Sequence, residues 1–202
     1  MVSGKRNKGK LVAVLLASVL LASAAHAQDY WFGVSYDTSM PLEDTKEFAG
    51  DFSWLGLSLE GRKMVNDNAS VGFVFAWHEM DKEFTGVAPV SQGVDVFAAQ
   101  KRYINTFPML VNAHYYLGQP GKPRLHVGLG LGAYLIERRV ELGEIYVLDE
   151  DTWHFGIAPE AGIAWRVGWQ AAGLISVRFN WASPGGDDEE MYLNFRVGMA
   201  WM

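Results

Sequence analysis

Six charged residues fall where an alternating chain would turn them all the same way: Glu60, Arg62, Glu160, Arg166, Arg178 and Arg196. Carboxylates and guanidiniums withdrawn from bulk water are tolerated when paired. The set is therefore expected to form an ion-pair ladder that fills an interior, with Glu60 and Glu160 as its acids. A narrow charged pore is the alternative. His78, His114, His126 and His154 lie on the same inward rows. Imidazoles could hold a metal or act as bases, but these sit on different segments and at different heights. Local hydrogen bonding is the expected role, with no metal and no cofactor. A further set of acids lies between segments. Arg138–Asp151 carries Glu141, Glu144, Asp149, Glu150 and Asp151, and Asp187, Asp188, Glu189 and Glu190 are consecutive. Such runs are ordinarily solvated tips, though carboxylate oxygens also suit divalent cations. Nucleophilic catalysis needs a hydroxyl within hydrogen-bond reach of a base. His78, Glu79, Ser91 and His154 are the residues to weigh, and no spacing singles them out. The GLGLG run at 128–132 lacks the following helix that a nucleotide loop requires.

The elements that would position these groups are strands. In Met191–Trp201 the odd positions Leu193, Phe195, Val197, Met199 and Trp201 are apolar, and the even positions Asn194, Arg196, Gly198 and Ala200 are polar or small. Successive strand side chains point to opposite faces, and about ten tilted residues cross a bilayer. The pattern recurs in eight segments, about Tyr30–Ser39, Phe52–Lys63, Ser70–Met80, Arg102–Leu117, Arg124–Glu137, Thr152–Val167, Ala171–Ala182 and Met191–Trp201. Their connectors alternate in length. Asn66–Asn68, Gly118–Pro123 and Gly168–Gln170 are short turns, and Met40–Asp51, Asp81–Lys101, Arg138–Asp151 and Ser183–Glu190 are longer links. Short periplasmic turns alternating with long outer loops mark a bacterial outer-membrane barrel. Both termini are then expected on the periplasmic side. Tyr115, Trp165, Trp169 and Trp201 near one end, and Trp77, Trp153, Phe155 and Trp181 near the other, would form two interfacial belts.

The start of the chain supports export. Lys5, Arg6, Lys8 and Lys10 precede an apolar run, Leu11–Ala24, and Ala25-His26-Ala27 follows as a cleavage site. This predicts a signal peptide over 1–27, removed to leave one domain over 28–202. That domain has 13 basic and 23 acidic residues, a net charge of −10, which argues against nucleic acid as a partner. Without cysteine there are no disulfides, no thiolate metal site and no lipoprotein anchor.

TFPMLVNAHYYLG (Thr106–Gly118), LHVGLGLGAYLIE (Leu125–Glu137) and FGIAPEAGIAWRV (Phe155–Val167) resemble strands of the eight-stranded outer-membrane β-barrels related to opacity proteins, OmpX and OmpW. The resemblance covers the chain after the signal. It implies an all-β, antiparallel up-and-down monomer in the outer membrane, in contact with its lipids and lipopolysaccharide and inserted by the barrel-assembly machinery. Divalent cations could bridge the acidic loops to lipopolysaccharide phosphates. The family implies no single activity. A structural or surface-contact role with a plugged lumen is expected. The alternatives are a narrow channel for small or hydrophobic solutes and, as in some small barrels, lipid A acyl chemistry. The family's usual terminal aromatic corresponds to Trp201, followed by Met202.

Overall fold

A computed structural model describes residues 30–91, 94–142, 145–183 and 189–201. The expected signal peptide, Asp187, Asp188 and Met202 lie outside the described residues. Eight strands form the wall: β1 (Tyr30–Pro41), β2 (Leu55–Asn66), β3 (Ala69–Ser91), β4 (Val94–Leu117), β5 (Arg124–Leu142), β6 (Ile145–Arg166), β7 (Ala171–Ala182) and β8 (Glu190–Trp201). Each pairs antiparallel with the next, and β8 returns to β1 from Phe32↔Trp201 to Pro41↔Tyr192. Closure leaves no open sheet edge around the barrel wall, the condition for a sheet to sit in hydrocarbon.

Alternation sorts the side chains. Phe73, Val111, Leu125, Leu129 and Val197 stand exposed on the outer face, while Val74, Leu110, Tyr116, Tyr134 and Tyr192 are buried inside. An exposed apolar band around a whole barrel far exceeds the patches soluble monomers carry, and lipid is the solvent that suits it. No helix among the described residues is long and apolar enough to cross a membrane.

Two of the long links are not loops. The β3–β4 ladder continues from Asp81↔Tyr103 out to Ser91↔Val94, and β5–β6 continues from Arg138↔Glu150 and Arg139↔Asp149 to Leu142↔Ile145. In register Arg138 stands opposite Glu150, the unlike pairing that supports a ladder, whereas Glu137 stands opposite Asp151 and Lys82 opposite Arg102. Val87, Val90, Val94 and Val96, and later Val140, Ile145 and Val147, supply β-branched residues suited to strands. The result is two hairpins longer than the wall requires.

The Met40–Asp51 link holds a short helix, α1 (Glu43–Ala49). It ends at Gly50, whose φ of 89° is open to glycine and whose N–H donates to Lys46 O at 3.0 Å. Ala49 joins the inner cluster of Met80, Ile104, Ile136, Ala182 and Tyr192, with Phe48 packed against it. The helix thus lies over the mouth opposite the chain termini.

Candidate functional site

The lumen gathers side chains from every strand of the wall. An eight-stranded barrel is only wide enough for its own side chains to meet at the axis. Glu160 on β6 is the hub. Its Oε2 accepts from Arg178 Nε and Nη2 at 2.8 and 2.5 Å, and from Arg196 Nη1 at 2.9 Å. Glu60 Oε2 takes Arg62 Nη2 at 2.9 Å and Arg196 Nη2 at 3.4 Å. Asp37 on β1 completes the set, 3.4 Å from Arg196 Nε and bonded by Ser58 Oγ at 2.7 Å. Three carboxylates therefore meet three guanidiniums, and each of the six residues is at most 5% exposed. Buried charge is tolerable only with such compensation.

Asp37 is an acid not singled out from the sequence; it lies on β1 beside Arg196. Arg166 departs from expectation. It shares the inward parity of Ala164, yet it is exposed at the rim near the termini, where Nη2 donates to Trp169 O at 3.1 Å. Parity gives a side chain's face and not its height, so Arg166 stands apart from the network.

Two histidines join the hub. His126 Nε2 lies 3.2 Å from Glu160 Oε1 and His114 Nε2 lies 3.8 Å from it, with ring centroids 5.6 Å apart. Glycines opposite make room for the rings. A Cβ on Gly128 would stand 2.7 Å from His114 Nε2, and one on Gly162 would stand 2.7 Å from His126 Cε1. The ligand atoms of His114, His126 and Glu160 lie within 4.8 Å of one another, the donor set of a two-histidine, one-carboxylate metal site. The surroundings do not suit a cation. Glu160 already serves two arginines, Arg62 Nη2 is 3.6 Å from its other oxygen, and neither His Nδ1 has the outer hydrogen bond that orients a metal-binding imidazole. The trio belongs to the ion-pair network.

His78 sits higher. Its Nε2 lies 3.0 Å from Asp37 Oδ2, and its Nδ1 lies 3.3 Å from both Thr106 Oγ1 and Tyr192 OH. Hydroxyl, imidazole and carboxylate thus stand in relay order, but Thr106, His78 and Asp37 are all fully buried, so no substrate reaches the hydroxyl. Of the other residues weighed for catalysis, His154 Nδ1 binds Ser183 O at 2.6 Å, Glu79 is the outward-parity neighbour of His78, and Ser91 ends β3.

Above the network the lumen stays filled. Tyr134 OH donates to Asn180 Oδ1 at 3.0 Å, Asn180 to Asn194 Oδ1 at 2.6 Å, and Asn194 to Ser39 Oγ at 2.8 Å. α1 closes the top. Glu190 is fully buried, accepting from Thr45 Oγ1 at 2.7 Å and from Arg138 Nε at 2.6 Å. The acidic run thus does not lie wholly in solvent. Glu190 turns inward as a latch for α1, and Glu189 accepts from Trp181 Nε1 at 3.0 Å. A carboxylate among solvated neighbours gives no sequence sign that it faces in.

Aromatic residues mark both ends of the outer wall. Tyr115, Trp201 and the highly exposed Trp169 lie near the termini, where Trp165 covers Gly173. Toward the other end lie exposed Trp153 and Phe155, and half-buried Trp77, whose Nε1 donates to Asn105 Oδ1 at 3.2 Å. Trp54 was missed. It lies just before β2, stacked edgewise on Phe52 at 5.0 Å, and receives the Tyr36 hydroxyl on its carbonyl.

No family model matches the chain, and no curated protein does. Solved structures do. Ail, the attachment invasion locus protein of Yersinia pestis, superposes with a TM-score of 0.52 at 12% identity, covering 86% of this chain and 97% of Ail. Its complex with the heparin analogue sucrose octasulfate gives 0.51 at 13% identity, with 86% and 97% covered. Neisserial surface protein A gives 0.53 at 11% identity, covering 85% of this chain and 96% of that one. At these identities the likeness is one of fold, and it agrees with the closed wall and its exposed apolar band. The chain has the closed eight-stranded β-barrel fold of these outer-membrane proteins.

Proposed function

We propose that this barrel carries its long hairpins to the cell surface and keeps its lumen shut. Cleavage after Ala27 releases the exported domain, and the termini face the periplasm. The observation that carries the reading is the charge-balanced lumen: three carboxylates and three arginines buried together, capped by an apolar layer and α1. A conducting pore would need hydrated charges, and these are spent on one another. The role is structural and interactive: outer-membrane stabilisation and contact through β3–β4 and β5–β6. Around α1 and the start of the β3–β4 extension, Glu43, Glu47, Asp51, Asp81 and Glu83 are interleaved with Lys46, Lys82 and Lys101, and Lys46 pairs with Asp51 at 2.9 Å. Ail was crystallised with a polysulfated sugar. The carboxylates of this mixed-charge end suit divalent cations that bridge to lipopolysaccharide phosphates. No specific observation favours a channel or lipid A chemistry.

The test is an epitope inserted between Ser91 and Val94. Intact cells should bind the antibody, and cells lacking the hairpin ends should keep a folded barrel while losing calcium-dependent adhesion to lipopolysaccharide-coated beads. An epitope detected only after the outer membrane is broken would refute the orientation. Unchanged adhesion would refute the role.

A further inference from the structure

The rim that holds the termini differs from the rest of the molecule. The chain carries a net charge of −6. Yet at this end Lys63, Lys122, Arg124 and Arg166 face a single acid, Asp67, among the described residues. Three of these cations border one cavity of about 180 Å³, together with Trp31 and Trp165. Its volume matches about six waters. The floor is small because Ala164, Ala172 and Ala200 face inward there.

The cavity is built. Arg124 is only 8% exposed, its guanidinium lies 4.7 Å over the Tyr116 ring, and Nη1 donates to Asp67 O at 2.6 Å. Arg166 likewise spends Nη2 on a carbonyl, that of Trp169. Lys122 stands beside Gly121, whose φ of 83° turns the short β4–β5 link toward the mouth. None of the three makes an ion pair with a described residue. Nine-tenths burial of an arginine without a carboxylate is costly unless an anion reaches it. Trp165, which lines the cavity, and Trp169, whose carbonyl holds Arg166, are of the residue type that settles at the headgroup level of a bilayer. Three cations at that level, converging on a space of headgroup size, match a phosphate ester and leave the acyl chains to lie along the apolar wall.

We propose that this mouth binds the phosphodiester headgroup of an anionic phospholipid. Arg124 is the fixed donor, and Lys122 and Arg166 close from the sides. The site faces the inner leaflet in the orientation proposed above, but binding in micelles does not depend on that orientation.

The experiment is native mass spectrometry of the refolded barrel released from neutral micelles. It is titrated with phosphatidylglycerol, with phosphatidylethanolamine, and separately with inorganic phosphate. One phosphatidylglycerol should be retained in preference to phosphatidylethanolamine. Each basic residue near an anionic surface contributes roughly a factor of five, so K122Q/R124Q/R166Q should lower the affinity about a hundredfold. K122Q/R166Q, which leaves the Arg124–Asp67 contact intact, should lower it about 25-fold. K46Q/K101Q at the opposite end should change nothing. Heat-modified gel migration confirms that each variant is folded. Equal retention of the two lipids, or full retention by a folded K122Q/R166Q variant, overturns the proposal. If inorganic phosphate alone binds as tightly as the lipid, the ligand is free phosphate and the lipid assignment falls.

Discussion

Replacing Glu160 by Gln should unbalance the whole lumen. The carboxylate takes two hydrogen bonds from Arg178 and one from Arg196 on Oε2, and faces His126 at 3.2 Å with Oε1. The amide is nearly isosteric, so shape is kept while one of the network's three negative charges is lost. Breaking a buried pair by removing one partner costs about 3–5 kcal/mol, because the other charge is left uncompensated. Urea unfolding of the barrel in phosphatidylcholine vesicles, followed by tryptophan emission and gel migration, should show a loss of that size. A second substitution supplies the internal check. Arg178→Met alone should also destabilise, but E160Q/R178M restores a count of two acids to two arginines. The double variant should be more stable than the sum of the singles by roughly 1–3 kcal/mol. Stability of E160Q within about 0.5 kcal/mol of the parent, the range of an ordinary surface change, would refute the reasoning. So would strict additivity of the pair.

Glu190→Gln weakens the contacts of that residue with Arg138 and Thr45. Amide exchange in Glu43–Ala49 should accelerate roughly 5–30-fold, as expected for a local loss of one or two kcal/mol, while strand amides hold their protection. Gly128→Ala should cost about 1–3 kcal/mol in urea unfolding through overpacking against the His114 ring. Gly130→Ala, whose added Cβ would stand 3.1 Å from the movable Cδ1 of Leu110, should cost clearly less. The exposed Asp51 carboxyl is held below the ordinary carboxylate range by the Lys46 ammonium at 2.9 Å. That pairing is present above the ordinary carboxylate pKa and is lost as pH falls through the lowered value. The protection factor at Gly50, which takes out the intrinsic pH dependence of amide exchange, should therefore fall on acidification in the parent and stay flat in Asp51→Asn.

The wall was legible because its period of two is strict. From Leu125 to Leu131 each odd residue is apolar, and the structure exposes each on the outer face. The inner row could be read by the same count, which places Glu60, Glu160, Arg178 and Arg196 inside. What parity cannot carry is registry between strands. His114 meets Glu160 because His114 pairs with Gly128 and Gly128 with Glu160, a row that crosses three strands and leaves no mark in any one of them. Arg166 shows the same limit from the other side: right parity, wrong height. α1 escaped because seven residues barely fill two helical turns, too few to display a period. The hairpin extensions escaped because their many charges resemble loop tips, and only the register shows that the ladder continues through them.

The most direct test of the closed lumen is planar bilayer recording of the purified, refolded barrel at neutral pH, with insertion verified independently by protease protection. A lumen filled by Glu160, its arginines and the layers beneath α1 predicts a flat current with no resolved steps under either polarity. Stable, reproducible conductance steps from the parent protein would contradict it.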